Sequence, residues 1–145
     1  LYHFLLFCNV VILGKLSKKH CSALAYFADR LMPYQLHRHI TVDVVFRRNM
    51  GHLGVTIIDE YNKSGNPRHF IIEVNSNQND GERVRTLAHE MVHIKQYCRK
   101  ELNEEATVWR DEVVNPNLSY DEQPWEIEAH SLGDTLYEEY NDFKR

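Results

Sequence analysis

Asn79-Asp80-Gly81-Glu82-Arg83-Val84-Arg85-Thr86-Leu87-Ala88-His89-Glu90-Met91-Val92-His93-Ile94-Lys95-Gln96-Tyr97-Cys98 is the stretch whose reading decides the fold. Asn79, with Glu82 three residues later, has the form of a capping box, so a helix opens at about Asp80. Val84, Leu87, Met91, Ile94, Cys98 and Leu102 recur at alternating steps of three and four, the apolar stripe of a helix packed on a core. At about 100° per residue, His89 and His93 project almost opposite that stripe. A helix with one covered face normally carries Lys, Glu and Gln on the other. Two histidines and Thr86 in that position point to a second buried surface.

Inside the stretch, His89-Glu90-Met91-Val92-His93 has the spacing HExxH. Residues four apart stack on one helix face, so both imidazoles can reach one metal ion. Glu90 then stands beside the ion, able to act on a water there. The competing reading is a chance match, with solvated or core histidines, in a chain that holds nine of them. The capping box and the two-faced pattern around the motif favour the site.

The chain has 145 residues, enough for one domain, residues 1–145, with a single sizeable core. Hydrophobic residues at 43% and charged residues at 26% are ordinary for a globular protein. A net charge of −4 argues against a phosphate-binding surface, and with Arg47-Arg48 and Lys15 with Lys18-Lys19 as the only basic clusters the chain carries no strong nucleic-acid signal. Cys8, Cys21 and Cys98 form neither a disulfide framework nor a cysteine metal site. Reduced thiols suit a cytoplasmic setting, a host's cytoplasm if the chain is viral, without excluding secretion. Leu1 to Leu13 is apolar but too short to span a bilayer, which takes about 20 residues. With no basic residues before it and no small-residue cleavage site after it, the run reads as a buried strand or short helix.

Ser17 can cap a helix running to Met32, stopped by Pro33. Thr41 to Phe46, Val55 to Tyr61 and His69 to Asn75 read as strands, the last two joined as an antiparallel hairpin by Asn62-Lys63-Ser64-Gly65-Asn66-Pro67. The strand His69 to Asn75 is a candidate to pair with an extended substrate. Ala106 to Val114 reads as an extended segment or hairpin arm. A last helix opens around Asp121 to Pro124 and runs to about Tyr140, with Trp125, Ala129, Leu132, Leu136, Tyr140 and Phe143 as its stripe. Helix, strands, helix, helix gives an α+β fold: an N-terminal helix, a three- to four-stranded sheet, the HExxH helix and a C-terminal helix.

A catalytic zinc takes three protein ligands and keeps a position open. Downstream of His93 the candidates are Glu122, Glu126, Glu128 and His130. Glu126 and His130 share one flank of the last helix. Glu128 lies about 160° from Glu126 and reads as serving solvent or a surface pair. Glu122 falls in the loop. The residues alone leave Glu126 and His130 both open as the third ligand.

HExxH followed by a helix bearing Glu126-Ile127-Glu128-Ala129-His130 resembles the gluzincin pattern of zinc metallopeptidases. The longer stretches Thr86 to His93 with Gln96-Tyr97, and Pro124 to His130, look like the small SprT-like metallopeptidases of bacteriophages. The resemblance covers roughly Asp80 to Tyr140. It implies a zincin-like domain in which Glu126 is the third zinc ligand and His130 hydrogen-bonds a ligand or another group of the site. Cellular SprT-like proteins carry a third His soon after HExxH. No His lies between His93 and His130 here, which weakens the carry-over of their DNA-linked role.

The expectation is a zinc-dependent peptidase acting on a peptide or protein. Zn²⁺ is held by His89, His93 and Glu126, Glu90 is the general base, and Tyr120, Tyr137 or His130 donates to the oxyanion. Tyr97 faces the same way as the histidines and reads as packing. The alternatives are a zinc-binding interaction or regulatory module that hydrolyses little, and a zinc amidase acting on peptidoglycan. Glu90 favours an enzyme, since metal binding alone does not need it.

Overall fold

The computed structural model describes residues 10–145. Most of the apolar run Leu1 to Leu13, with Cys8, lies outside the described residues. Its end, Val11–Gly14, is a strand, β1, with Ile12 fully buried. Helix α1, Lys18–Leu31, begins as expected at Ser17, whose hydroxyl accepts from the His20 amide. Pro33 ends α1 and also opens a single turn, α2 (Tyr34–His37), that the sequence reading did not contain. Strands β2 (Thr41–Arg47), β3 (Gly54–Tyr61) and β4 (Pro67–Asn75) follow, then α3, Asp80–Cys98. A small hairpin, β5 (Val108–Trp109) and β6 (Glu112–Val113), and a 3₁₀ turn, Tyr120–Glu122, lead to α4, Pro124–Phe143.

The fold is α+β, with a mixed four-stranded sheet in the order β1-β2-β4-β3. β1 and β2 are parallel, as are β2 and β4, while β3 runs antiparallel to β4. The β3–β4 hairpin forms as expected. Its turn is tied by Asn62, whose side-chain oxygen accepts from the amides of Ser64 and Asn66 at 3.0 and 2.9 Å. One expectation is corrected. The strand from His69 to Asn75 has no free edge, because β2 and β3 pair with it on either side. The edge strand beside α3 is β3.

Alternation on β2 and β4 sends Val42, Val44, Phe70, Ile72 and Val74 into the core. There they meet Leu24 and Phe27 of α1 and the stripe Val84, Leu87, Met91 and Ile94 of α3. Each such side chain contributes about 1.5–3 kcal/mol when fully buried. α3 packs across β4 and β3, α4 lies along α3, and α1 touches both helices. Cys98 is buried as expected and its thiol is pushed up to about 12 by that burial, so it is inert. The α4 stripe holds at Trp125, Ala129, Leu136 and Tyr140, with Leu132 partly covered. It fails at Phe143, which is 70% exposed because α4 runs on past the core; the ring only leans on Tyr26, 5.0 Å between centroids.

The β5–β6 turn has an unusual backbone. Arg110 and Asp111, at φ 49° and 71°, both adopt the left-handed conformation of a two-residue hairpin turn without a glycine. Among the described residues no helix is long and apolar enough to cross a membrane.

Candidate metal centre and cleft

The helix that carries HExxH is fixed at its start by the capping box. The Asn79 side chain accepts from the Glu82 amide at 2.8 Å, and the Asn79 amide donates to Glu82 Oε1 at 3.0 Å. α4 runs antiparallel across the far face of α3. The two helices are close at Gly133, where an added Cβ would lie 3.1 Å from the His89 Cα and 3.2 Å from its amide nitrogen. A side chain there would force the two backbones apart by a few tenths of an ångström.

That crossing brings Glu126 between the two histidines of α3. His89 Nε2 lies 3.0 Å from Glu126 Oε1, and His93 Nε2 lies 3.2 Å from Glu126 Oε2. Donors about 2.0–2.2 Å from a tetrahedral ion stand about 3.3–3.6 Å apart, so each histidine lies a little closer to its Glu126 oxygen than two ligands of one zinc would, and the two contacts use different oxygens of that carboxylate. His130 is also near. Its ring centroid is 4.5 Å from that of His89, and donor atoms of His89, Glu126 and His130 all fall within 4.8 Å of one another. Glu126 meets both histidines of the motif, whereas His130 meets only His89.

The protonation of His93 can be read from its neighbours. The Gln96 amide nitrogen donates to the Trp125 carbonyl at 3.0 Å and to Glu128 Oε1 at 3.1 Å, and both are acceptors. The Gln96 oxygen must therefore face His93 Nδ1, 2.8 Å away, and Nδ1 must carry a proton. In the neutral ring Nε2 then has its lone pair free and aimed at the gap beside Glu126.

Glu90 is buried and does not touch Glu126. Its Oε1 accepts from the Thr56 hydroxyl on β3 at 2.7 Å, and its Oε2 is 4.0 Å from His89 Nε2. β3 can come this close because Gly54 has no side chain: a Cβ there would lie 2.6 Å from the Thr86 methyl. Thr86 donates to Gln78 at 2.7 Å, and Gln78 in turn holds the Leu53 and Asn75 carbonyls. The start of β3 is thereby tied to α3.

Charge follows this geometry. Burial opposes ionisation of Glu126, but hydrogen bonds from His89 and His93, the His93 charge and the Tyr120 hydroxyl hold it well below the usual carboxylate range. Burial lowers the His93 imidazole; the hydrogen bond to Glu126 and the charges of Glu90 and Glu126 outweigh this and raise it. Burial and the nearby Glu126 carboxylate push the Tyr120 phenol up, so it remains a proton donor. Its oxygen is 3.3 Å from His130 Nε2.

A cleft of about 670 Å³ opens over these groups, walled by Gly54 to Thr56 of β3 and by Tyr120, Glu126 and His130. At one end it meets Tyr97, Leu102 and Trp125, at the other Glu82, Arg85 and Asp134. Tyr97 is largely packing, stacked on Phe70 with centroids 6.4 Å apart. Tyr137 is outside the cleft lining; its ring carries the Arg85 guanidinium at 4.6 Å. Glu122 turns back to cap Ser119.

Glu128 differs from the sequence reading. It pairs with Lys95 at 2.8 Å and Arg110 at 2.6 Å, which is a pair, but it also accepts from Gln96 beneath His93. Its flank of α4 is closed by α3 and the β5–β6 turn rather than left to solvent. The sequence reading missed Thr56, Gln96, Gly54 and Gly133. Gly133 left a signal, a glycine four residues after Ala129 inside a helical stripe, and Gln96 stood in the stretch that carries the resemblance without a role of its own.

Compared with protein-family models, with curated proteins and with solved structures, the chain matches none.

Proposed function

We propose that the protein is a zinc-dependent metallopeptidase with a zincin-like fold, of the gluzincin type and similar to the small SprT-like metallopeptidases of bacteriophages. The observation that carries this is the meeting of His89 and His93 on the two oxygens of Glu126, with Glu90 beside them and held by a different partner. His89, His93 and Glu126 are the residues that would hold Zn²⁺. When bound, the ion lowers the pKa of a water and polarises the scissile carbonyl.

The chain's own residues do the rest. Thr56 engages one oxygen of Glu90 and leaves Oε2 to accept the proton of the attacking water and return it to the leaving amine. Tyr120 and His130 stand on the opposite wall as donors to the developing oxyanion. The outer edge of β3 is unpaired among the described residues, so its backbone groups can take an extended peptide as an added strand. That edge and the open cleft are what support a peptide or protein as the substrate.

Glu90→Gln tests the proposal. It keeps size and a hydrogen-bonding oxygen but cannot accept the proton, and loss of a general base costs about 10²–10⁴-fold in rate. The variant should fold, bind zinc as the wild type does and lose cleavage of casein and of a broad peptide library. A zinc-loaded wild type that cuts neither these nor cell-wall fragments would hand the scaffold to the interaction-module reading.

A further inference from the structure

We infer that Gln96, backed by Glu128, is a positioning residue that holds His93 as its Nδ1–H tautomer and so presents Nε2 to the metal. The inference rests on the reading of His93 as a metal ligand. A ligating histidine needs its second ring nitrogen occupied by an acceptor, or the ring turns and the wrong nitrogen carries the proton. Here that acceptor is the Gln96 side-chain oxygen at 2.8 Å.

An amide is an ambiguous partner, because a half-turn exchanges its acceptor for a donor. In this site the half-turn is blocked. Gln96 is fully buried, and its nitrogen is engaged by the Trp125 carbonyl and by Glu128 Oε1. Rotation would set two acceptors against the amide oxygen and a donor against His93 Nδ1–H. Glu128 supplies the second lock because it is itself fixed as an acceptor by Lys95 and Arg110. The series Arg110, Glu128, Gln96, His93 alternates donor and acceptor at each contact. One link comes from the β5–β6 turn, one from α4 and two from α3.

The alternation dictates the test. Gln96→Met fills the space without an acceptor. Gln96→Glu keeps an acceptor for His93 but sets it against the Glu128 carboxylate. Combining Gln96→Glu with Glu128→Gln restores the alternation, since the new amide can donate to position 96 and accept from Lys95 and Arg110. Zinc affinity should fall about 10- to 100-fold in each Gln96 single variant, as is usual when such a partner is lost, and the double variant should recover most of the loss of Gln96→Glu. Independently of metal, nitrogen-15 NMR of the zinc-free protein at alkaline pH, in a Glu126→Ala background so that the carboxylate 3.2 Å from Nε2 does not compete for the proton, should show the Nδ1–H tautomer of His93 with Gln96 intact and in the double variant, and mixed tautomers in Gln96→Met. A residue that merely filled space would leave the tautomer unchanged.

An Nδ1–H tautomer retained in Gln96→Met, or a double variant no better than Gln96→Glu alone, would overturn the inference. A wild type that binds no zinc would instead remove the proposed function, and the tautomer measurement would still decide the role of Gln96.

Discussion

The two faces of α3 are both buried, yet they are built on different rules. On one, Val84, Leu87, Met91, Ile94 and Cys98 meet the sheet and α1 through non-directional contacts. On the other, each polar side chain has a particular partner on another element: Thr86 with Gln78, Glu90 with Thr56, His89 and His93 with Glu126, and Gln96 with Trp125 and Glu128. An apolar core needs volume and pattern, so similar side chains can replace one another there. A buried polar face needs every partner at its distance, because an unpartnered group costs its full desolvation. Burial alone does not separate structure from site on this helix; the specificity of the partner does.

The contrast can be broken one face at a time. The largest effect is expected from His89→Ala, which should abolish zinc binding in a competition titration while the chain still unfolds cooperatively. Leu87→Ala, on the opposite face, should cost about 2–5 kcal/mol in a urea titration yet leave about one zinc per folded chain. If Leu87→Ala at low temperature loses zinc as fully as His89→Ala, the two faces are not separable.

A smaller effect comes from pH. Without metal, the raised His93 imidazole stabilises the fold fully below its unfolded value of 6.5, and that contribution is lost as the pH climbs through the higher folded value. Glu126, depressed, contributes above its unfolded value of 4.5 and loses this only in strong acid. Zinc-stripped protein should therefore be less stable at about pH 9 than at about pH 6, and Glu126→Gln should flatten the difference. An unchanged pH dependence in that variant would show that the two groups do not interact.

The smallest effect is expected from Gly133→Ala. Alanine gains about 1 kcal/mol of helix propensity, while crowding the His89 backbone costs about 1–3 kcal/mol. Net stability should fall only slightly, whereas zinc affinity should drop severalfold as α4, with Glu126, is pushed from α3. A variant with wild-type affinity would mean that the helix crossing does not set the metal distances.

The legible parts of this molecule were those governed by local rules. The Asn79–Glu82 box, the α3 stripe, the Ser17 cap and the β3–β4 turn each depend on residues within a few positions of one another. HExxH belongs with them, since the spacing itself puts His89 and His93 on one face. Sheet order was out of reach: β4 lies inside the sheet because Thr41 pairs with His69, across an intervening strand that no periodicity records. Glu128 shows the limit of a helical wheel. Its angle from Glu126 was right, but an angle does not say what lies there, and Arg110 arrives from a separate turn. Gln96 lay within the stretch that carries the resemblance but had no role assigned to it, because an amide takes its meaning from its neighbours. Phe143 fits the stripe, but the pattern holds no information on where the underlying core stops.

The turn at Arg110 and Asp111 has an evolutionary consequence. Left-handed backbone costs an L-residue about 1–2 kcal/mol, and glycine would relieve it at position 110. Glycine would also delete the guanidinium that reaches Glu128. The turn trades conformational ease for the placement of one charge. Insertions, deletions and exchanges in this surface excursion can be sampled without disturbing the main core, and their influence is transmitted through Glu128 and Gln96 to the His93 ring. Sequence drift at the periphery thus has a route by which to tune the centre.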